Sequence, residues 1–399
     1  MRLPPLAVAA CVLLLATAPA GAGPLPFAGY LETRHAVQVK SPHEFLASET
    51  RLRLETEGSR DEASFFASVN ASENHIDEES SEVRLHEGYL DYAGDGWDVR
   101  AGRQIIIWGN SDGLQVTDVL CPSDLTEYAT RDLDEIRMPI DAVNLRYTGS
   151  GDLTIETVLI PFFEPAKLPE ADSPWRVGTG PDPTPTEPEK TLENGEVGVR
   201  ASWFLPGVDL TFSWARLWND LPAQVAADTD PEPLGYRRTS FAGMTVSVPL
   251  GSLVVRGEAA WFSSGSFPVA EQGAPDIEKP LIKALAGCDW YPGEDWTFTV
   301  QALGEHIVRH NEDTVQDETR GLLTLRVAKK LFREKLELSN MGYVTLNDQD
   351  LFNRFEADYE IKDGFHAMAG ADLFAGTRSG IYGRYKDNTQ IWVKAKYSF

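Results

Sequence analysis

Cysteine is scarce in this chain, with 3 in 399 residues. Cys11 lies in an apolar leader, so only Cys121 and Cys288 remain, too few for a disulfide scaffold. Basic charge is also short: 36 Lys and Arg face 61 Asp and Glu, a formal net charge of -25. Phosphate backbones demand basic protein surface, which excludes nucleic acid as a partner. Beyond the leader no run of about 18 apolar residues occurs, so no transmembrane helix follows. Helical periodicity is nearly absent over the same stretch. No Ser/His/Asp grouping stands out, so neither an enzyme nor a cofactor is expected. His306 and His310 fall at a strand end and loop, where their spacing spans about 13 Å, and no metal site is expected there.

What is present begins with a leader. Arg2, the apolar stretch Leu6 to Leu15 and the small residues Ala20-Gly21-Ala22 read as a signal peptide over residues 1–22. The mature chain is then expected to start near Gly23, outside the cytoplasm. From there period two dominates. "RLRLE" from Arg51, "EVGVRASW" from Glu196, "TFTVQA" from Thr297 and "RFEADYEI" from Arg354 all alternate apolar with polar residues. Such segments are strands with one apolar and one polar face.

Tight polar turns punctuate the strands at Glu57, Ala93, Gly149, Leu205, Pro249, Tyr291, Phe332 and Ile361. Between them run looser connections at 109–138, 163–193, 219–235, 264–279 and 309–318. Short turns at one end and long loops at the other predict an all-β fold, a transmembrane antiparallel β-barrel. It has roughly 18 strands (about 16 is the alternative), short periplasmic turns and long extracellular loops. A soluble sandwich would show continuous apolar strands, which are missing. Aromatic residues collect at strand ends. Tyr92, Trp97, Trp203, Trp290, Trp296, Phe365 and Phe399 lie near tight turns, and Trp108, Phe163, Trp218 and Trp261 near long loops. They read as two interfacial girdles. The chain ends on "QIWVKAKYSF", alternating to a terminal aromatic. Tyr397 and Phe399 resemble the signal read by the barrel-assembly machinery. The last strand is expected to pair with the first, near Tyr30 to Val39, and remove the sheet edges.

Alternation also assigns faces. Charged residues on the polar parity belong to the lumen, because arginine on the lipid face at mid-depth costs about 2–4 kcal/mol. The predicted inward set is Arg51, Arg53, Arg146, Arg200, Arg256, Arg326, Arg354, Lys394 and Lys396, with Glu55, Glu156, Glu258, Glu356, Asp358 and Glu360. Arginines on many strands either guide an anionic solute or pair with carboxylates to fill the wall.

The most distinctive stretch runs from Gly102 to Pro139. It contains Asp112, and Asp124 with Glu127 reads as a capping box that starts a helical turn near Leu125. A loop of this length either folds into the lumen and constricts it or caps the outside. "GRQ" at Gly102-Arg103-Gln104, "WG" at Trp108-Gly109 and "PSD" at Pro122-Ser123-Asp124 resemble a family of outer-membrane proteins. It is the domain of unknown function 1302 and is similar to alginate-export-type porins. The opening "FAGYLETR" at Phe27 and terminal Phe399 fit it. The resemblance implies a porin-like barrel with Arg103 and Asp124 facing the lumen. Alternation alone puts Arg103 on the apolar face, and a bulge at Gly102 would be needed to turn it inward.

The expectation is a Gram-negative outer-membrane channel for passive passage of a polar or anionic solute. The alternatives are a non-conducting barrel serving export or assembly of lipid or exopolysaccharide, and an adhesin. Expected partners are outer-membrane lipid and lipopolysaccharide, the barrel-assembly machinery and a periplasmic export partner.

Overall fold

The computed structural model describes residues 26–399 apart from 77–80, 128–129, 150, 178–183, 227–232 and 272. The expected signal peptide lies outside the described residues, as do parts of the acidic run from Glu73 and the Pro-rich stretch from Pro181.

The chain first lays down β1 (Phe27–Gln38), β2 (Phe45–Arg60), β3 (Ala63–Asn74), β4 (Glu82–Ala93) and β5 (Trp97–Gln104). A long excursion carrying the short helix α1 (Leu133–Ile136) leads to β6 (Ile140–Thr148) and β7 (Leu153–Ile160). A second excursion leads to β8 (Glu196–Leu205) and β9 (Val208–Trp218). The two-residue strands β10 (Ala223–Gln224) and β11 (Leu234–Gly235) pair with each other outside the main sheet. Then follow β12 (Arg238–Leu250), β13 (Leu253–Phe267), β14 (Ile277–Trp290), β15 (Trp296–Ile307) and β16 (Thr319–Leu331). The chain closes with β17 (Leu336–Thr345), β18 (Leu351–Lys362), β19 (Phe365–Ala375) and β20 (Gln390–Ser398).

Among the described residues, 18 of these strands form one sheet. Each pairs antiparallel with its chain neighbours, and β1 pairs with both β2 and β20. Register runs from Tyr30↔Ser398 to Gln38↔Gln390, so the sheet is a closed barrel without edges. Gly29 and Phe399 exchange two backbone hydrogen bonds of 3.0 Å, which lock the two ends of the chain side by side at the short-turn end. The eight tight turns fall where the sequence places them, and every long connection emerges at the opposite end.

Burial is inverted relative to a soluble core. Glu156 and Glu258 on the inner face are 3 % exposed, whereas Leu90 on the outer face is 66 % exposed. An apolar outer band and a polar interior are what a lipid solvent selects. The predicted inward residues all fall on the inner parity, since Arg51 lies opposite Glu32, Arg53 opposite Tyr30 and Glu156 opposite Arg200.

The turn-side aromatic girdle is present, with ring centroids 5.5 Å apart for Tyr92 and Trp97 and 5.3 Å apart for Trp290 and Phe298, both pairs tilted. The loop-side girdle is incomplete. Trp261 is exposed, but Trp108 and Phe163 are buried. The chain turns into the lumen directly after Gln104, which carries Trp108 away from the lipid. Phe163 turns in against Tyr236 at 4.9 Å.

Candidate functional site

The excursion between β5 and β6 folds into the lumen. Ile106, Trp108, Val116, Leu120 and Cys121 form a small core with Ile140, Ala142 and Val158 of the wall. Cys121 acts here as a compact apolar residue: burial pushes its thiol up to about 12, so it stays protonated. The Trp108 indole donates to Glu156 at 3.0 Å and lies under the Arg200 guanidinium at 5.6 Å. Only glycine fits at Gly198, because a Cβ there would stand 2.5 Å from that indole. Asp118 accepts from the Trp108 amide at 3.1 Å and from Arg137 at 2.7 Å, tying the outgoing and returning arms of the loop.

The first arm then reaches across the barrel. The Asn110 amide and the Thr117 amide and hydroxyl donate to the Glu258 carboxylate at 2.7, 3.1 and 2.7 Å. Arg256 donates to the Asn110 carbonyl at 2.8 Å. The Asp112 backbone N–H donates to the Gln301 side-chain Oε1 on β15 at 3.1 Å, and its carbonyl accepts from Gln301 Nε2 at 2.7 Å. Gly113 lies against the Tyr343 hydroxyl of β17, on the wall opposite the loop's origin.

The second arm is held by charge. Arg34 of β1 donates to Glu127 at 2.5 Å, and Arg131 bridges Glu127 and, at 2.7 Å, Glu49 of β2. Arg354 of β18 meets Asp132 at 3.0 Å, and Lys394 of β20 meets Glu135 at 3.1 Å. Burial alone would raise the Glu127 carboxyl, but Arg131 and Arg34 outweigh it and hold it far below the usual carboxylate range. Burial likewise opposes Lys394, Arg131 and Arg51 at Glu135, and the cations win, leaving that carboxyl at about 2. A polar crevice of about 10 Å³ between this arm and Trp392 has room for roughly one water. The arm is therefore seated rather than suspended. The loop meets β4 at its first residue, where the Ile105 amide donates to Glu87 at 2.8 Å; among the described residues no hydrogen bond or ion pair joins 106–139 to β3 or β4.

A second connection lies over the first. Lys167 exchanges backbone hydrogen bonds with Ser123 and Leu125, at 3.1 and 2.8 Å. Further along, Trp175 docks among Phe352, Phe374, Tyr382 and Tyr385 on the far rim. That socket is shaped by buried Asp350, which accepts amide hydrogen bonds from Thr377, Tyr382 and Gly383 at 3.1–3.2 Å. A Cβ at Gly376, where φ is +128°, would stand 2.0 Å from the Asp350 carboxylate.

Most of the predicted wall arginines are paired. Arg51 meets Glu49 at 3.3 Å, Arg200 meets Glu156 at 2.7 Å and Arg256 meets Asp289 at 2.6 Å. Arg146 lies 3.7 Å from Glu156, Arg326 3.3 Å from Glu337 and Arg354 2.8 Å from Asp372. Arg53 differs. It donates to Asn70 at 2.7 Å and lies 5.3 Å from the Tyr30 ring, whose other neighbour is the Lys396 ammonium at 4.3 Å. Among the described residues neither Arg53 nor Lys396 has a carboxylate within ion-pair distance. Arg53, Asn70 and Arg84 occupy one row of register partners across β2, β3 and β4. Glu356 lines the crevice beside Arg354.

Three expectations are corrected. Arg103 does not face the lumen. It lies opposite Gly88 on the outward parity and is held by Glu164 at 2.7 and 2.9 Å and by Asp141 at 3.5 Å. Gly102 does take a positive φ of +134°, yet the following side chain stays outside, where two rim carboxylates attract it. Asp124 is spent between the two excursions, bonding the Thr126 amide at 3.1 Å and lying 3.9 Å from Lys167. No helix starts near Leu125, and the helical turn is α1 instead. Glu127 abandons the capping role because the Arg34 and Arg131 charges bind it more strongly than a backbone amide would. Sequence reasoning missed Arg34, Glu49, Arg131 and Trp175. The first three stand on alternating or loop segments like many others, and only the fold brings them together.

The family now has independent support. Residues 55–360 match the profile of the family described as "Protein of unknown function (DUF1302)". The chain belongs to the DUF1302 family. No curated protein matches the sequence of this DUF1302 member. Its structure is similar to mutant forms of the porin of Rhodopseudomonas blastica. One is 11 % identical with a TM-score of 0.46, and another is 12 % identical with a TM-score of 0.45. A triple mutant of the same porin is 12 % identical with a TM-score of 0.46. Each comparison covers 94 % of this chain and 100 % of that chain.

Proposed function

We propose that this DUF1302 protein is a loop-constricted channel of the outer membrane that passes small polar solutes and offers anionic groups a line of contact along one wall. The observation that carries this reading is the lumenal loop. It is anchored to β7, β8, β13, β15, β18, β20, β1 and β2, and among the described residues it meets the sector of β3 and β4 only where the Ile105 amide donates to Glu87. A barrel of about this strand number encloses water unless it is filled, so an anchored loop narrows the bore without having to close it. The neighbouring sector carries Arg53, with Lys396 across Tyr30, and neither has a carboxylate within ion-pair distance among the described residues, whereas Arg84 is paired with Glu82 at 3.3 Å. Arg53 and Lys396 are on the inner parity and are the wall cations least neutralised by neighbours. A permeating carboxylate or phosphate meets them at close range, where near charges outweigh distant ones. The chemistry is passage rather than turnover.

The strap carrying Trp175 favours a second reading, in which the mouth is closed at rest and opens for an export partner. Planar-bilayer recording separates the two. Steady ohmic steps from the purified protein support the open channel. Silence from wild type, with steps appearing only in Trp175→Ala, supports the closed mouth and overturns the first reading.

A further inference from the structure

The outer surface holds an arrangement that passage through the lumen does not use. On the loop side of β6 to β8 the paired wall is low. β6 has 9 residues and β7 has 8, against 15 in β13 and 16 in β2. A cavity of about 450 Å³ opens there, lined by the apolar Val143, Leu159, Ile160, Pro161, Leu192 and Val197 together with Gly195 and Glu196. That volume falls within the range of small-molecule pockets, about 300–1,000 Å³. Val143, Leu159 and Val197 are on the outward parity, so the cavity opens to hydrocarbon rather than to the lumen. Leu192, 79 % exposed, overhangs it from the loop.

One row of register partners runs Val143, Leu159, Val197 and then Arg216. The apolar socket is thus followed, one strand on, by an outward arginine. Among the described residues Arg216 has no hydrogen bond or ion pair. Arg238 stands beside it, lying 4.5 Å from the Trp218 ring and donating to the Glu193 and Gly195 carbonyls at 3.0 and 3.2 Å. It shapes the rim of the cavity and adds a second positive charge. Three nearby carboxylates are occupied. Glu196 accepts from the Trp218 amide at 2.7 Å on the inner face, and Asp141 and Glu164 are held by Arg103. An unpaired arginine facing lipid is tolerated near the interface and costly at mid-depth, which places Arg216 at headgroup level, two residues from the end of β9.

We propose that this is a binding site for a phosphorylated lipid of the surrounding bilayer, with an acyl chain in the cavity between β6 and β8 and the headgroup phosphate on Arg216. The occupant is set by two neighbouring features: an apolar socket continuous with the lipid-facing band, and, at the next register partner, a guanidinium with no hydrogen bond or ion pair among the described residues. A guanidinium binds phosphate through paired donors, and basic pockets at membrane surfaces hold anionic headgroups in the same way.

The test is native mass spectrometry of the full-length barrel released from nanodiscs of phosphatidylglycerol, with heat-modifiable migration confirming the folded state of each variant. One retained phosphatidylglycerol per wild-type barrel is expected. Arg216→Gln and Val197→Trp should each lower its occupancy about ten-fold, the first by removing the charge-assisted bond and the second by filling the socket. Leu192→Asp, at an exposed overhang, supplies an independent reading if Val197→Trp does not fold. Diacylglycerol with the same chains should not be retained, and inorganic phosphate should not displace the lipid. Equal retention by wild type and the folded variants overturns the site. Equal retention of diacylglycerol overturns the phosphate assignment, and displacement by inorganic phosphate alone overturns the lipid as occupant.

Discussion

Glu127 and Glu135 hold the lumenal loop to the wall through Arg34, Arg131 and Lys394. Both carboxyls titrate below their ordinary value near 4.5, so each stabilises the seated loop fully above that value and loses its contribution as pH falls toward the folded-state value, about 2 for Glu135. Single-channel conductance should therefore be flat from about pH 8 to 5 and become larger or noisier only below about pH 4. A change centred near pH 6 would mean that histidine, not these carboxylates, controls the loop. Asp118 and Arg137 form a tighter tie, with side chains 3 % and 6 % exposed. Arg137→Ala strands a buried carboxylate, at a cost of about 3–5 kcal/mol to the seated loop. Proteolysis within 109–138 should then proceed in the folded barrel, where wild type resists; equal resistance would sink the tie. Charge swaps at the exposed pair Lys330 and Glu334 should change neither measurement, because such pairs contribute little.

Among the elements, the loop and the last strand carry separate consequences. Removing Asp112 to Glu135 takes away most of the bonds to Glu258, Gln301, Arg34, Arg354 and Lys394 while leaving the strands paired. Conductance should rise several-fold with the heat-modifiable folded form retained; unchanged conductance would show that the path runs wholly outside the loop. β20 closes the barrel against β1, and its outward Tyr397 packs near Phe365 at 6.5 Å and near Phe399 at 6.1 Å. Replacing Tyr397 and Phe399 with Ala should leave unassembled chain in the periplasm, read as loss of the folded band on a gel. Wild-type levels of that band would remove the terminal aromatics from any role in assembly.

For the molecule as a whole, net charge and lumen charge point in opposite directions. The chain carries -25, yet most carboxylates of the lumenal loop are neutralised where they seat, Asp118 by Arg137, Glu127 by Arg34 and Arg131, Asp132 by Arg354 and Glu135 by Lys394. The wall is largely neutralised by pairing, and Arg53 and Lys396 stand out from it. Arg53→Gln with Lys396→Gln should shift the reversal potential toward cations at low salt and much less at high salt. A reversal potential unmoved at every salt concentration would mean that permeant ions avoid the sector of β2 to β4.

Period-two alternation was sufficient for the strands, their faces, the eight tight turns and the closure of the last strand on the first. Each of these follows from a local constraint, because in a lipid-facing sheet every second residue must be apolar. The inward arginines were legible for the same reason. What they bind was not, since pairing depends on which strands become neighbours and on where a loop enters the bore. Arg103 shows the difference: alternation placed it outside correctly, and only the fold supplied Glu164 and Asp141 to hold it there. The direction of the loop from Gly102 to Pro139 was likewise open in the sequence. Its anchors, from Glu258 to Lys394, lie on strands more than a hundred residues away, and burying its apolar side chains inside the barrel became possible only once those strands had closed around it.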